Sequence, residues 1–179
     1  MEELSDEEIV RKCRLGDPGA FDTLVDRHQR TVYGVAIRMM RDRDDAEDVA
    51  QNVFVKMYEK LHTYDEQHKF FSWMYRIAMN ECLNALKYRS KFDTLDGVDI
   101  PEERDDGADD SVVAMENKVQ HGLMALGVEQ RALVILRHMQ GLSYEEMGQV
   151  LDIPVRTVKS RLYAARQTLK VILKRKGIR

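Results

Sequence analysis

Residues 142–170 read LSYEEMGQVLDIPVRTVKSRLYAARQTLK, and their spacing decides the fold. Ser143 stands three residues before Glu146. At that distance a hydroxyl and a carboxylate can each satisfy the other's backbone amide, so a short helix starts there. Asp152-Ile153 makes a turn, and Pro154 sits where a second helix begins, a place where its missing N–H costs nothing. Along the second helix Val155, Val158, Leu162, Ala165, Leu169 and Ile172 recur every three or four residues and form one apolar seam. The opposite face carries Arg156, Lys159, Ser160, Tyr163, Arg166, Gln167 and Lys170, with Thr157 and Arg161 at its margins. A short helix, a tight turn and a longer helix with a basic outer face make a helix-turn-helix. Such a helix fits the major groove, where Arg and Lys bind guanine edges and Ser or Thr hydrogen-bonds bases or phosphates. The trailing Lys174, Arg175, Lys176 and Arg179 offer salt-sensitive phosphate contacts.

The net charge of −3 over 179 residues would argue against a nucleic-acid partner if the charge were evenly spread. It is not. Residues 1–91 hold 15 Lys/Arg and 17 Asp/Glu, residues 92–110 one Arg and nine acids, and residues 111–179 twelve Lys/Arg and five acids. From Pro154 onward there are nine Lys/Arg and no acid. The chain therefore divides into a near-neutral domain (1–91), an acidic flexible linker (92–110, FDTLDGVDIPEERDDGADD) and a basic domain (111–179). Nineteen linker residues reach roughly 60 Å when extended. That equals about 18 base pairs at ~3.4 Å each, so the two domains could stand on separate parts of one duplex.

Upstream of the linker the pattern is helical throughout, and alternation of β-branched and polar residues is nearly absent. Ser5 and Glu8 fit a capping box for a helix ending near Gly16. Asp17-Pro18 reads as a cap and first position of a helix to about Met40, with Phe21, Leu24, Val25, Val32, Val35, Ala36 and Met39 inward. Ala46, Val49, Ala50, Val53, Phe54, Met57, Tyr58 and Leu61 make one stripe on the next helix, whose first turn is crowded by Asp44, Asp45, Glu47 and Asp48. A loop from His62 to Lys69 leads to a helix from about Phe70 to Arg89, with Phe70, Trp73, Met74, Ile77, Ala78, Cys82, Ala85 and Leu86 inward. Downstream, helices are expected at about 112–125 and 128–140. The expected class is all-α, two small helical domains.

Composition narrows the function further. An apolar fraction of 44%, 33% charged residues and only 3 Pro exclude collagen-like, low-complexity and fully disordered chains. No run approaches ~18 uncharged apolar residues, and the acidic start builds no signal-peptide core. Cys13 and Cys82 cannot make a disulfide framework and read as buried free thiols in a reducing cytoplasm. His62 and His68 have no cysteine near them in sequence, so no metal site and no cofactor are expected. No Gly-rich phosphate loop, zinc-ligand spacing or nucleophile motif points to an enzyme, and no catalytic residue is assigned.

Three segments carry a resemblance. Residues 45–54, DAEDVAQNVF, resemble the hallmark of the second conserved region of bacterial sigma factors, and residues 71–80, FSWMYRIAMN, resemble the promoter-melting segment that follows it. Residues 153–162, IPVRTVKSRL, are similar to the family's −35 recognition helix. Their order, and the compact two-domain size, point to the extracytoplasmic-function (ECF, group 4) subfamily of the sigma-70 family.

The resemblance implies a set of roles. Asp48, Gln51, Asn52, Val55 and Glu59 would face the clamp helices of the largest core RNA polymerase subunit, with the flap as a second contact. His62, Lys69, Arg76, Asn80, Asn84 and Lys87 would capture the single-stranded −10 element. The chemistry agrees, since a flipped base needs amide donors and acceptors and the strand needs cations. Arg156, Thr157, Lys159, Ser160, Arg161, Tyr163 and Arg166 would read the −35 duplex. The acidic linker would enter polymerase channels, and an anti-sigma factor would hold the protein inactive in the bacterial cytoplasm or at the membrane. Asn52 and Asn84 stand where acids are common in the family, and Arg156 where Gly is frequent, so promoter sequences do not transfer from relatives. Two other readings compete: a free-standing helix-turn-helix regulator, and a sigma mimic that sequesters an anti-sigma factor.

Overall fold

The computed structural model describes residues 4–93 and 111–175, so most of the segment read as an acidic linker lies outside the described residues. Eight α-helices follow in order: α1 (Asp6–Arg14), α2 (Ala20–Met40), α3 (Arg43–Lys60), α4 (Phe70–Asp93), α5 (Ser111–Met124), α6 (Val128–Val134), α7 (Tyr144–Leu151) and α8 (Val155–Arg175). A short 3-10 turn, Leu61–Thr63, follows α3, and a π-turn, Ile135–Met139, extends α6. Among the described residues there is no strand.

Both expected capping boxes form. Ser5 and Glu8 exchange hydrogen bonds of 2.7 and 3.3 Å at the start of α1, and Ser143 and Glu146 do so at 2.8 and 3.1 Å at the start of α7. Two boundaries differ from the sequence expectation. α2 starts at Ala20, because the Asp17 carboxylate accepts from the Gly19 amide at 3.0 Å and closes a side-chain turn that holds Pro18 outside the helix. α4 runs four residues past Arg89, whose guanidinium pairs with Asp45 at the start of α3. Tyr58 also leaves its assigned stripe. At 3.6 residues per turn it lies roughly 120° round from Ala46. Its ring is 67% exposed and packs edge-on against Phe21 at 5.1 Å.

In the first block α2, α3 and α4 pack together, and α1 closes against α2. The Asp6 carboxylate anchors that closure, accepting from Arg27 Nη1 at 2.7 Å and meeting His28 Nε2 at 3.0 Å. In the second block α5, α6 and α7 pack on α8. Gly122 lets α5 approach α8 closely, since a Cβ there would meet Leu173 Cδ2 at 2.9 Å.

The two blocks do not stand apart. α7 packs along α4, and α5 and α6 touch α2, so the buried apolar residues form one cluster running from Ile9 to Ala165. Arg131 joins the halves. Its guanidinium is buried and donates to the carbonyls of Leu123, Met124 and Leu126 at the end of α5 and of Met39 at the end of α2. Gln120 Nε2 donates to Ile37 O at 3.1 Å beside it. The packing of α7 along α4 accounts for Ser72 and Tyr75, which are buried although they lie off the inward face read from sequence. α4 has two packed sides.

Two measurements test this packing. Gly148 lies inside α7, where Ala normally stabilises by about 1 kcal/mol. Here an added Cβ would sit 2.9 Å from Ile153 O in the turn to α8. Gly148→Ala should therefore lower the melting temperature, and a rise would contradict the tight turn. Burial pushes the Asp6 carboxyl up, but His28 and Arg27 outweigh it and hold it below its ordinary value. A depressed folded pKa stabilises above the unfolded value and is lost as pH falls through the folded one. The stability deficit of Asp6→Asn, read from urea melts, should be full above about pH 4 and shrink as pH falls below it.

Candidate nucleic-acid interface

The seam of α8 is where sequence periodicity put it: Val158, Leu162 and Ala165 are buried, and Val155, Leu169 and Ile172 are half-buried against the block. The seam fixes the rotation of the helix and turns the basic face outward. Arg156, Lys159, Ser160, Arg161, Tyr163 and Arg166 are exposed, and Thr157 is half-buried at the margin.

Several of these side chains are already positioned. Lys159 Nζ lies 5.6 Å above the Tyr144 ring, whose centroid also receives Arg137 Cζ at 4.9 Å. A ring quadrupole attracts both cations. Arg137 is held in turn by Leu142 O at 2.7 Å. Arg161 pairs with Glu129 at 2.9 Å. Arg166 Nε donates to His138 Nε2 at 3.0 Å, which requires a neutral imidazole. Burial and the charges of Arg166 and Arg137 push the His138 pKa down and favour that form. The Ser160 hydroxyl donates to Thr157 O at 3.1 Å and presents only lone pairs outward.

The second candidate face runs along α4. Arg76, Asn80, Asn84 and Lys87 are exposed, with Lys69 just before the helix and His62 on the 3-10 turn. Trp73 stacks with Tyr64 and Phe70, each ring pair at 5.6 Å, so it belongs to the core while one edge lines a cavity. That cavity, of about 320 Å³, lies between the 63–68 loop, α4 and the helix-turn-helix. The structure places Lys69 and Arg76 against the second block: Lys69 Nζ reaches Glu146 at 2.9 Å, and Arg76 lies 4.0 Å from Asp152. Asn80, Asn84 and Lys87 continue the exposed face beyond that contact.

The third face lies on α3. Asp48, Gln51, Asn52, Val55 and Glu59 are all exposed, Val55 by 53% despite its apolar side chain. Glu59 pairs with Lys56 at 2.9 Å. Sequence reasoning missed the cleft beside this face, about 450 Å³ between α2 and α3, lined by Val25, Tyr33, Phe54 and Gln51 among others. Its signal was Phe54 at the edge of the stripe, too wide to be covered by α2 alone. Sequence reasoning also missed Tyr75, Arg131, Gln140, Glu146 and Asp152 as contacts between the blocks. Residues far apart in the chain leave no periodic trace of such pairing.

Residues 24–92 match the family model described as Sigma-70 region 2, and residues 116–169 match Sigma-70, region 4. The RNA polymerase sigma-H factor of Pseudomonas aeruginosa is 32% identical over 92% of this chain and 91% of its own. The ECF RNA polymerase sigma factor SigW of Bacillus subtilis is 31% identical over 90% of this chain and 92% of its own. Among solved structures, the sigma factor RpoE of Bartonella quintana, in complex with the anti-sigma factor NepR, superposes with a TM-score of 0.72. It covers 87% of this chain and 98% of its own at 24% identity, a likeness of fold. Two sigma regions in the expected order, with relatives matched over nine-tenths of the length, show that the chain belongs to the sigma-70 family of RNA polymerase sigma factors, in its extracytoplasmic-function group.

Proposed function

We propose that this sigma factor directs core RNA polymerase to its promoters through three separate surfaces. The exposed α3 face of Asp48, Gln51, Asn52, Val55 and Glu59 docks on the polymerase clamp. The α8 face of Arg156, Thr157, Lys159, Ser160, Arg161, Tyr163 and Arg166 enters the major groove of the −35 element. The α4 face, from Lys69 through Arg76, Asn80 and Asn84 to Lys87 with His62 beside it, receives the single strand of the −10 element. In this reading residues 1–91 and 111–179 are the two functional domains, and the chain acts by positioning polymerase rather than by chemistry of its own.

The observation that carries the reading is α8: a helix whose buried seam leaves each of its own basic side chains, Arg156, Lys159, Arg161, Arg166, Lys170, Lys174 and Arg175, exposed. Solubility alone does not require such a face in a chain whose net charge is −3. An anti-sigma factor that covers these surfaces is a fitting regulator, since the similar RpoE fold was found bound to one. Among the described residues no helix is long and apolar enough to cross a membrane, which fits a place of action in the cytoplasm.

Run-off transcription with core polymerase and a library of genomic promoters tests this. The chain should yield promoter-specific products that core alone does not, and their absence would overturn the reading. At promoters with an upstream element, Arg156→Ala should lower initiation about 5- to 150-fold, as expected for loss of a base contact worth about 1–3 kcal/mol. Lys159→Ala should weaken initiation too. Unchanged transcription in both variants would mean that another face of α8 meets DNA.

A further inference from the structure

The loop that leads into α4 is held from outside by the first helix. Arg14, the last residue of α1, donates through Nη2 to Leu61 O at 3.0 Å and to Tyr64 O. Its Nη1 lies 3.5 Å from Glu66 Oε1, and Arg11 on the same helix donates to Glu66 Oε2 at 3.0 Å. The Arg14 guanidinium also lies over the Tyr64 ring, 5.9 Å from its centroid. Leu61 caps α3 and Tyr64 caps the 3-10 turn after it, so both carbonyls lie where helical hydrogen bonding runs out and the dipole is negative. A planar fork with five donors can meet two such carbonyls and a carboxylate together. At its other end α1 is fixed to α2 through Asp6, so Arg14 reaches the loop from an anchored helix.

The loop is also closed from within. Tyr64 is buried with its ring against Phe70 and Trp73, and its hydroxyl donates to His68 O at 2.7 Å. Burial foremost, then the charges of Glu7 and Glu66, push that hydroxyl up to about 12, so it stays a donor. The amides of His68 and Gln67 donate to Asp65 O and Asp65 Oδ1, each at 3.0 Å. Thr63, Asp65 and His68 are exposed and line the cavity beside Trp73 and Arg76.

We infer that Arg14 is a positioning residue for promoter recognition: from α1 it fixes the 61–68 loop in the shape in which Thr63, Asp65 and His68 discriminate bases of the −10 strand. The inference rests on the reading of the −10 face given above. Arg14 acts through the loop rather than on the strand. A loop ordered beforehand loses less entropy when the strand arrives, and it cannot rearrange to suit a wrong base. Pairing with two arginines also offsets the Glu66 charge, which would otherwise repel phosphates.

The test is run-off transcription by a holoenzyme of core RNA polymerase and the full chain, on one promoter it uses and on versions with single −10 bases replaced. The readout is the ratio of initiation on the parent to initiation on each version, beside footprinting of the upstream duplex. Arg14→Ala should lower the largest ratio about three- to tenfold, the loss expected from hydrogen bonds of ordinary net strength, with upstream protection unchanged. Arg14→Lys keeps the charge and the aliphatic stem but replaces the fork by one ammonium. It should lower the ratio in the same direction, and it carries the test if the alanine variant does not fold. Lys12→Ala, on the same helix, should move the ratio less than about twofold. A general loss of stability would lower initiation on every promoter by one factor and leave the ratio alone. An unchanged ratio in the Arg14 variants, an equal fall in Lys12→Ala, or no initiation anywhere by either Arg14 variant overturns the inference alone, provided Asn80→Ala with Asn84→Ala still lowers the ratio. A ratio near one in the unaltered chain, or one that ignores the Asn80 and Asn84 replacements, overturns the reading of the −10 face and the inference with it.

Discussion

A buried guanidinium whose four hydrogen-bond acceptors are all carbonyl oxygens holds the two halves of this molecule in register. The last carbonyls of a helix lack partners within it and carry the negative end of its dipole. Arg131 brings one positive charge to two such ends at once, Leu123 and Met124 on α5 and Met39 on α2. Burial lowers its pKa, but an arginine remains protonated under any ordinary condition. Removing it would strand several carbonyls out of reach of water, so this interaction fixes where the helix-turn-helix sits relative to the first block. From that placement follow the burial of Tyr75, the cavity beside Trp73 and the pairing of Lys69 and Arg76 with acids.

Most of the architecture could be read from residues alone. Both capping boxes, the seam of α8 and the stripe of α3 up to Met57 are consequences of local spacing, and local spacing survives into the fold. The misses are of another kind. Asp17 offered two uses, a helix cap or a side-chain turn, and the structure takes the second because Gly19 is within reach of its carboxylate. Tyr58 drifted off its stripe because a helix repeats every 3.6 residues and a row of three-and-four steps does not close on itself over a dozen positions. The second packed side of α4 had no periodic signature at all, since Ser72 and Tyr75 face a segment some 70 residues away.

The candidate site divides in the same way. The basic face of α8 was legible because it is the complement of an apolar seam on one helix. The α3 face was legible only through family resemblance, for a row of polar residues on an exposed helix carries no chemistry of its own. What the structure adds is the state of these side chains. Lys159 rests over Tyr144, Arg161 is tied to Glu129, and Arg166 leans on a neutral His138, so much of the basic face is held in place before DNA arrives. Ordering paid in advance lowers the entropy lost on binding.

The charge distribution binds these observations into one account. A chain of slight net negative charge carries an acid-free basic face along α8, and sets Glu146 and Asp152 of the helix-turn-helix against Lys69 and Arg76 beside α4. The most direct measurement is footprinting of a holoenzyme, assembled from core RNA polymerase and this chain, on a promoter it transcribes. The account requires protection of duplex upstream, and permanganate-reactive thymines near the start site that disappear when Asn80 and Asn84 are both replaced by Ala. Upstream protection with strand opening untouched by those replacements would contradict it.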